Sequence, residues 1–218
     1  WRRTSTEGLR RNFPVPVVTA LVCAGVLLGV GLRDLYAIMS LSLYGFVVGS
    51  VVLEFYRGIG ARRSTMGEGT MLALFRLLAK NRRRYGGYLV HLSIILLFVG
   101  FTGKAFTIER ELVLRRGESA QIGNYTVTFD ALAFGEDANK SVAAAAVSLQ
   151  HDGTRLATMI PERHFYKTAE QNTTEVSIYS RWLEDFYVIM VGIGADNQSA
   201  KFHIYINPLV NCVWWGSA

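Results

Sequence analysis

The stretch 85-YGGYLVHLSIILLFVGFTG-103 runs for 19 residues with His91 as its only side chain that ionises near neutral pH. A hydrocarbon core about 30 Å thick needs roughly 20 helical residues at ~1.5 Å each. The stretch meets that length once flanking residues are allowed, and two others do the same. Residues 15–32 are 18 without a charge, and residues 35–53 are 19 more. A fourth apolar run begins near Ile204 and continues through Val213, Trp214 and Trp215 to Ala218. The composition agrees: half of the chain is hydrophobic, 18% is charged and the mean hydropathy is +0.23, which is unusual for a soluble domain.

The basic residues are placed as a membrane protein places them. Residues 1–14 carry four Arg against one Glu, and residues 54–87 carry eight Lys or Arg against two Glu. Residues 107–205 carry nine basic and thirteen acidic residues. An excess of Lys and Arg marks cytoplasmic loops. Residues 1–14 and 54–87 are therefore expected inside, and the Arg33–Asp34 turn and residues 107–205 outside. A nucleic-acid partner is not expected, because the basic residues flank apolar spans instead of forming a groove-binding stripe. A cleaved leader is not expected either. A second apolar run follows the first after only Arg33 and Asp34, with no Ala-x-Ala pattern before it. The start at Trp1 and the short last run point to a fragment of a longer protein.

Within the loop 54–84, Met71, Leu72, Leu74, Phe75, Leu77 and Leu78 recur at helical spacing around Arg76 and Lys80, which predicts an amphipathic helix on the inner membrane surface. Beyond Phe106 the period becomes two. Strands are expected at 111–115, 125–129, 141–149, 154–160, 187–193 and 201–206, with a hairpin signal at His151-Asp152-Gly153. The fold class is thus an integral membrane α-helical protein with a β-rich extracytoplasmic domain, a small antiparallel sheet or barrel. It has three full transmembrane helices plus the start of a fourth. The expected divisions are a transmembrane region 1–106, with helices about 15–32, 35–53 and 85–105 and a basic cytoplasmic loop 54–84, then the β-rich domain 107–205 and the start of a final helix at 206–218.

His91 is the residue that physics singles out. Ionisable groups inside spans are rare, costly and usually functional. It follows Arg84 by seven residues, about 10 Å along a helix. Neutral imidazole is a standard ligand of haem iron and of many metals. Gly87, Tyr88, Ile94 and Ile95 share its face and offer a flat apolar wall. The plainer alternative is a histidine that hydrogen-bonds a neighbouring helix, and from the residues alone it carries more weight. His151 reads as a solvated turn residue, His164 as part of an irregular stretch and His203 as an exposed strand position. Glu175, Glu184 and Asp185 read as a solvated loop. Cys23 and Cys212 fall in apolar runs and make no CxxC or CxxCH pattern.

Residues 81–92, Asn-Arg-Arg-Arg-Tyr-Gly-Gly-Tyr-Leu-Val-His-Leu, resemble the signature of the CcmF family, the haem lyase component of cytochrome c maturation. Trp1-Arg2-Arg3, Gly60-Ala61-Arg62-Arg63, Gly67-Glu68-Gly69, Phe165-Tyr166, Thr174-Glu175, Asp185-Phe186-Tyr187 and Asn207-Pro208-Leu209-Val210-Asn211 with Trp214 resemble other parts of that family, in order along the chain. The resemblance implies its C-terminal part. It implies a multi-pass protein of the bacterial inner membrane with residues 107–205 in the periplasm. It implies an enzyme that receives haem, its substrate, from a periplasmic haem chaperone resembling CcmE and attaches it to the CxxCH thiols of apocytochrome c. It implies a haem b in the membrane, with His91 as one axial ligand beside Tyr88 and Gly87, and with quinol as electron donor. A thiol-handling partner resembling CcmH is also implied. The second axial ligand and the family's Trp-rich haem-handling segment lie outside this chain, so the chain alone is expected to be catalytically incomplete. Cys212 stands where the family leads one to expect an aromatic residue. The competing reading is a non-enzymatic membrane scaffold whose outer β domain docks assembly partners. A transporter segment is disfavoured, since paired Gly- or Pro-broken spans are lacking.

Overall fold

The computed structural model describes residues 6–218, so the Trp1-Arg2-Arg3 stretch lies outside the described residues. The described residues divide into two compact units, one of residues up to 105 with 212–218 and one of residues 106–211.

The first unit is helical: α1 (Thr6–Asn12), α2 (Pro14–Gly29), α3 (Leu35–Met66), α4 (Thr70–Lys80), α5 (Arg82–Thr102) with a 3-10 turn at Gly103–Phe106, and α6 (Asn211–Ser217). Pro14 and Pro16 sit in the first turn of α2, where a missing N–H costs little. Asp34 starts α3 by accepting a hydrogen bond from the Ala37 N–H at 2.7 Å. Helices α2 and α3 approach closely at two glycines four apart. A Cβ at Gly45 would fall 3.2 Å from Cys23 Cβ, and one at Gly49 would fall 2.5 Å from Thr19 Oγ1. This small-x-x-x-small spacing is the device by which apolar helices approach in a membrane.

Two helical segments, Leu35–Met66 and Arg82–Phe106, are long and apolar enough to cross a membrane, while α2 is a shorter apolar helix of 16 residues. The expected loop 54–84 is a correction. Helix α3 continues through it to Met66 and stops only where Gly67 takes φ +66 and caps it on Arg63 O. Polar residues after Leu53 change which solvent the helix meets, but they break no backbone bond. Glu68 then accepts from Arg62 at 3.0 Å and Arg76 at 2.7 Å, tying the α3–α4 turn, and these two guanidinium groups hold its carboxyl below the usual range. The amphipathic α4 forms as its spacing predicts, burying Ala73 and Leu77.

The second unit is an antiparallel β-sandwich. Its strands are β1 (Ile108–Arg115), β2 (Ser119–Ile122), β3 (Tyr125–Glu136), β4 (Lys140–His151), β5 (Thr154–Met159), β6 (Glu162–Tyr166), β7 (Gln171–Glu175), β8 (Ser177–Ser180), β9 (Glu184–Ile193) and β10 (Ser199–Pro208). One sheet has the order β1-β10-β9-β8 and the other β2-β3-β4-β6-β7, with β5 also paired to β4. The sheets close on Val127, Phe129, Val147, Leu149, Val188, Met190, Phe202 and Ile204, none of them measurably exposed. Phe129 and Phe202 meet edge to face at 5.4 Å. Asp152 and Gly153 both take positive φ in the β4–β5 hairpin, as the Asp-Gly signal predicts.

Three expectations fail here. The domain is a sandwich of two sheets in place of one small sheet or barrel. The final helix, expected from 206, begins only at Asn211, and the strand expected at 201–206 extends to Pro208. Ile204 and Ile206 are buried while His203 and Tyr205 face out, the period-two pattern of that strand. Glu184 and Asp185 are no solvated loop. They open β9, where Asp185 is buried within reach of Asn211 Nδ2 at 3.4 Å.

Candidate functional site

Helix α5 is set against α3 near both ends. At its start Arg84 Nη2 donates to Glu54 Oε2 at 2.7 Å. Tyr85 is buried, with its ring 5.0 Å from Phe55 and 5.9 Å from Tyr88. Gly58 leaves room for this contact, since a Cβ there would fall 2.5 Å from the Tyr85 hydroxyl. Near the far end Tyr44 stacks on Phe98 at 6.3 Å, and its hydroxyl lies 3.4 Å from Thr102 Oγ1. On another side, Gly216 of α6 packs directly on the α5 backbone at Ser93 and Leu97.

His91 lies between these anchor points and is exposed. Its Nδ1 is 2.6 Å from the Gly87 carbonyl oxygen, one turn earlier. A carbonyl only accepts, so Nδ1 carries the hydrogen, and the neutral form of this ring keeps its lone pair on Nε2. Gly87, Val90, Ile94, Phe98 and Phe101 lie along this side of α5, and the four large apolar ones among them are exposed. Apart from the helix's own backbone, no atom of the described residues lies within 4 Å of where a Cβ on Gly86 or Gly87 would stand. A neutral imidazole with its tautomer set by the backbone, on an open apolar stripe, fits an axial ligand for haem iron. Of the three residues proposed from the sequence, His91 and Gly87 are joined by this hydrogen bond. Tyr88 instead packs its ring on Phe55, 6.3 Å away, and on Tyr85.

The sandwich holds polar clusters that sequence reasoning missed. His203 Nε2 is 2.6 Å from Glu109 Oε1, and its Nδ1 is 3.2 Å from the Tyr205 hydroxyl. Burial, then Glu109, pushes the Tyr205 phenol up, while Lys201 holds the Glu111 carboxyl down. Tyr125 donates to Glu184 Oε1 at 2.6 Å, and burial followed by that carboxylate raises its phenol. His164 is not in an irregular stretch. It lies buried in β6 with Nε2 2.8 Å from Glu162 Oε2. His151 ends β4, 4.8 Å from the Tyr125 ring. Only a long-range register brings His203 to Glu109, 94 residues away. The alternation of charged and apolar residues in 109–115 and 201–205 was the one available signal.

A helical unit with two membrane-length segments, one carrying an internal histidine, followed by an antiparallel sandwich, defines a class: membrane-associated proteins that display a β-domain. The family described as the CcmF C-terminal beta-sandwich matches residues 105–208. The cytochrome c-type biogenesis protein CcmF of Haemophilus influenzae is 26% identical over 217 residues, which cover 99% of this chain and 32% of that protein. CycK of Bradyrhizobium diazoefficiens is 26% identical over 99% of this chain, and the probable biogenesis protein NrfE of Escherichia coli is 26% identical over 96% of it, covering 32% and 38% of those proteins. A solved structure titled Cytochrome c Heme Lyase CcmF superposes with a TM-score of 0.78 at 19% identity, over all of this chain and 34% of that one, which shows a shared fold. Along nearly its whole length the chain is similar to the CcmF and CycK cytochrome c-type biogenesis proteins, and its sandwich matches the family's C-terminal domain. It spans about a third of the length of the curated relatives it matches.

Proposed function

We propose that the chain is the C-terminal part of a membrane haem lyase of cytochrome c maturation, and that His91 is one axial ligand of a haem b held in the membrane. The observation that carries this reading is the His91 geometry: Nδ1 bound to the Gly87 carbonyl, Nε2 free, and an exposed apolar stripe around it on a membrane-length helix. The haem iron, when bound, supplies one-electron chemistry. The chain's own contribution is positional. The Gly87 carbonyl orients the imidazole, the apolar stripe keeps water from the macrocycle face, and the contacts to α3 hold α5 in one rotation. The second axial ligand comes from outside this chain.

In this reading α2, α3 and α5 are three spans of the bacterial inner membrane, with flanking residues completing α2, and α6 begins a fourth. The sandwich lies in the periplasm. Haem is the substrate, delivered by a periplasmic haem chaperone resembling CcmE, and apocytochrome c receives it on its CxxCH thiols. A thiol-handling protein resembling CcmH is a further partner, and quinol is the electron source. The complete protein purified with His91 intact is expected to show a b-type spectrum, oxidised and dithionite-reduced. His91→Ala is expected to insert normally and lose that spectrum; a retained six-coordinate spectrum defeats the assignment.

A groove in the sandwich favours a second reading, a scaffold that docks partners without chemistry. It encloses about 460 Å³ and is lined by Phe134, Ala143, Arg163 and Phe165 among others. Absence of haem from the complete protein, with or without His91, is the result that would favour it.

A further inference from the structure

The stripe on α5 has a polarity along its axis that the ligand assignment does not use. Arg84 precedes His91 by seven residues, two helical turns, so it lies about 10 Å away along the axis and within about 20° of the same face. Its side chain is 60% exposed. Its Nη2 is bonded to Glu54 and its guanidinium also meets the Tyr88 hydroxyl, and with five N–H donors in a fixed fork it keeps capacity for a further carboxylate. On the opposite side of His91 the same face carries Ile94, Phe98 and Phe101, all exposed and all apolar.

A macrocycle held through His91 Nε2 would have Arg84 on one side of it along the helix and Ile94 and Phe98 on the other. Its two carboxylates leave one edge on two-carbon arms, a reach of the same order as the His91–Arg84 offset. Anions cannot rest against Ile94 and Phe98 inside the apolar span without a large desolvation cost. We infer that Arg84 binds a propionate of the His91-ligated haem, so that the macrocycle's carboxylate edge points toward Arg84 and its apolar edge toward Phe98. The guanidinium suits this task because it meets a carboxylate with paired N–H groups, and Glu54 and the Tyr85 ring, 5.9 Å from its central carbon, hold it in place. This inference rests on the ligand reading above and adds the second point of attachment that fixes rotation about the iron–imidazole bond.

The test uses the complete protein, stripped of haem and titrated with iron protoporphyrin IX or with its dimethyl ester, followed by absorption and by the reduction potential of the bound iron. Arg84→Gln is expected to weaken binding of the free acid about tenfold, the size of one lost charge-assisted pair, and to shift its potential. It is expected to leave binding of the dimethyl ester unchanged, because the ester offers no charge to lose. Arg84→Lys should recover part of the affinity. Glu54→Gln should weaken binding less than Arg84→Gln, since it removes one anchor of the guanidinium and leaves the guanidinium itself. Arg83→Gln, one residue round the helix, should be neutral. Equal loss for acid and ester, or equal loss in Glu54→Gln, would show that Arg84 only supports the fold, and would overturn the inference. A His91-dependent spectrum that Arg84→Gln leaves untouched overturns it while sparing the ligand reading. No His91-dependent spectrum in the unmodified protein overturns both.

Discussion

The helical unit and the sandwich contain the same kinds of apolar side chain and dispose of them in opposite ways. The sandwich hides Val127, Phe129, Phe202 and Ile204 completely and presents charged and hydroxyl side chains outward. The helices leave Leu21, Val22, Leu43 and Ile94 among their exposed residues and reserve their closest contacts for Gly45, Gly49 and Gly58. A unit in water gains by removing apolar surface from solvent. A unit in lipid gains nothing that way, so its helices are joined by close backbone approach and a few polar contacts. The difference teaches that burial is a measure of folding only where the surrounding solvent is water.

That contrast can be broken by experiment. Phe202→Ala removes an aromatic ring from the closed core beside Phe129 and should cost about 3–5 kcal/mol, whereas Leu43→Ala on the exposed face of α3 should be close to neutral. Thermal unfolding of the complete protein in detergent, followed by near-UV circular dichroism, compares the two; equal losses would mean that the helical face is packed against protein after all. Gly49→Leu should cost about 1–3 kcal/mol by wedging α3 away from Thr19 and Pro16, while Gly60→Leu, with open space around it, should not. The midpoint of heat inactivation in detergent reads this, and tolerance at both positions would remove the close-approach argument.

The smallest effect concerns charge. The Glu68 carboxyl is held low by Arg62 and Arg76, so its folded pKa lies below its unfolded one. Its contribution is then present above the ordinary carboxylate value of 4.5 and is lost as the pH falls through the folded value. Stability measured from neutral pH down through pH 4.5 should decline less steeply in Glu68→Gln than in the unmodified protein. Parallel curves would show that the α3–α4 turn does not depend on this pair.

Several features were legible because they depend on near neighbours. The apolar runs at 35–53 and 85–103 announce helices by length, and His91 is conspicuous because no other side chain in its run ionises near neutral pH. The i to i−4 spacing already placed Gly87 where its carbonyl meets the imidazole. Others were hidden for definite reasons. Helix α3 outlasts its apolar run because charged residues such as Arg57 and Arg62 are good helix formers. Strand β7, Gln-Asn-Thr-Thr-Glu, has no apolar alternation to read and exists through its pairing with β6. The buried Asp185 depends on the chain returning to Asn211.

The sequence by itself determined three apolar runs, two of which form membrane-length helices, a period-two domain after Phe106, and a histidine within one of those helices with a CcmF-like signature around it. All of these follow from interactions within a few residues, where spacing alone says which side chains share a face. Only the tertiary structure decided that the β-domain is two sheets, and that Glu109 meets His203 and Tyr125 meets Glu184 across 94 and 59 residues. Such pairs are set by strand register, which no local pattern encodes because it depends on which distant strand lies alongside.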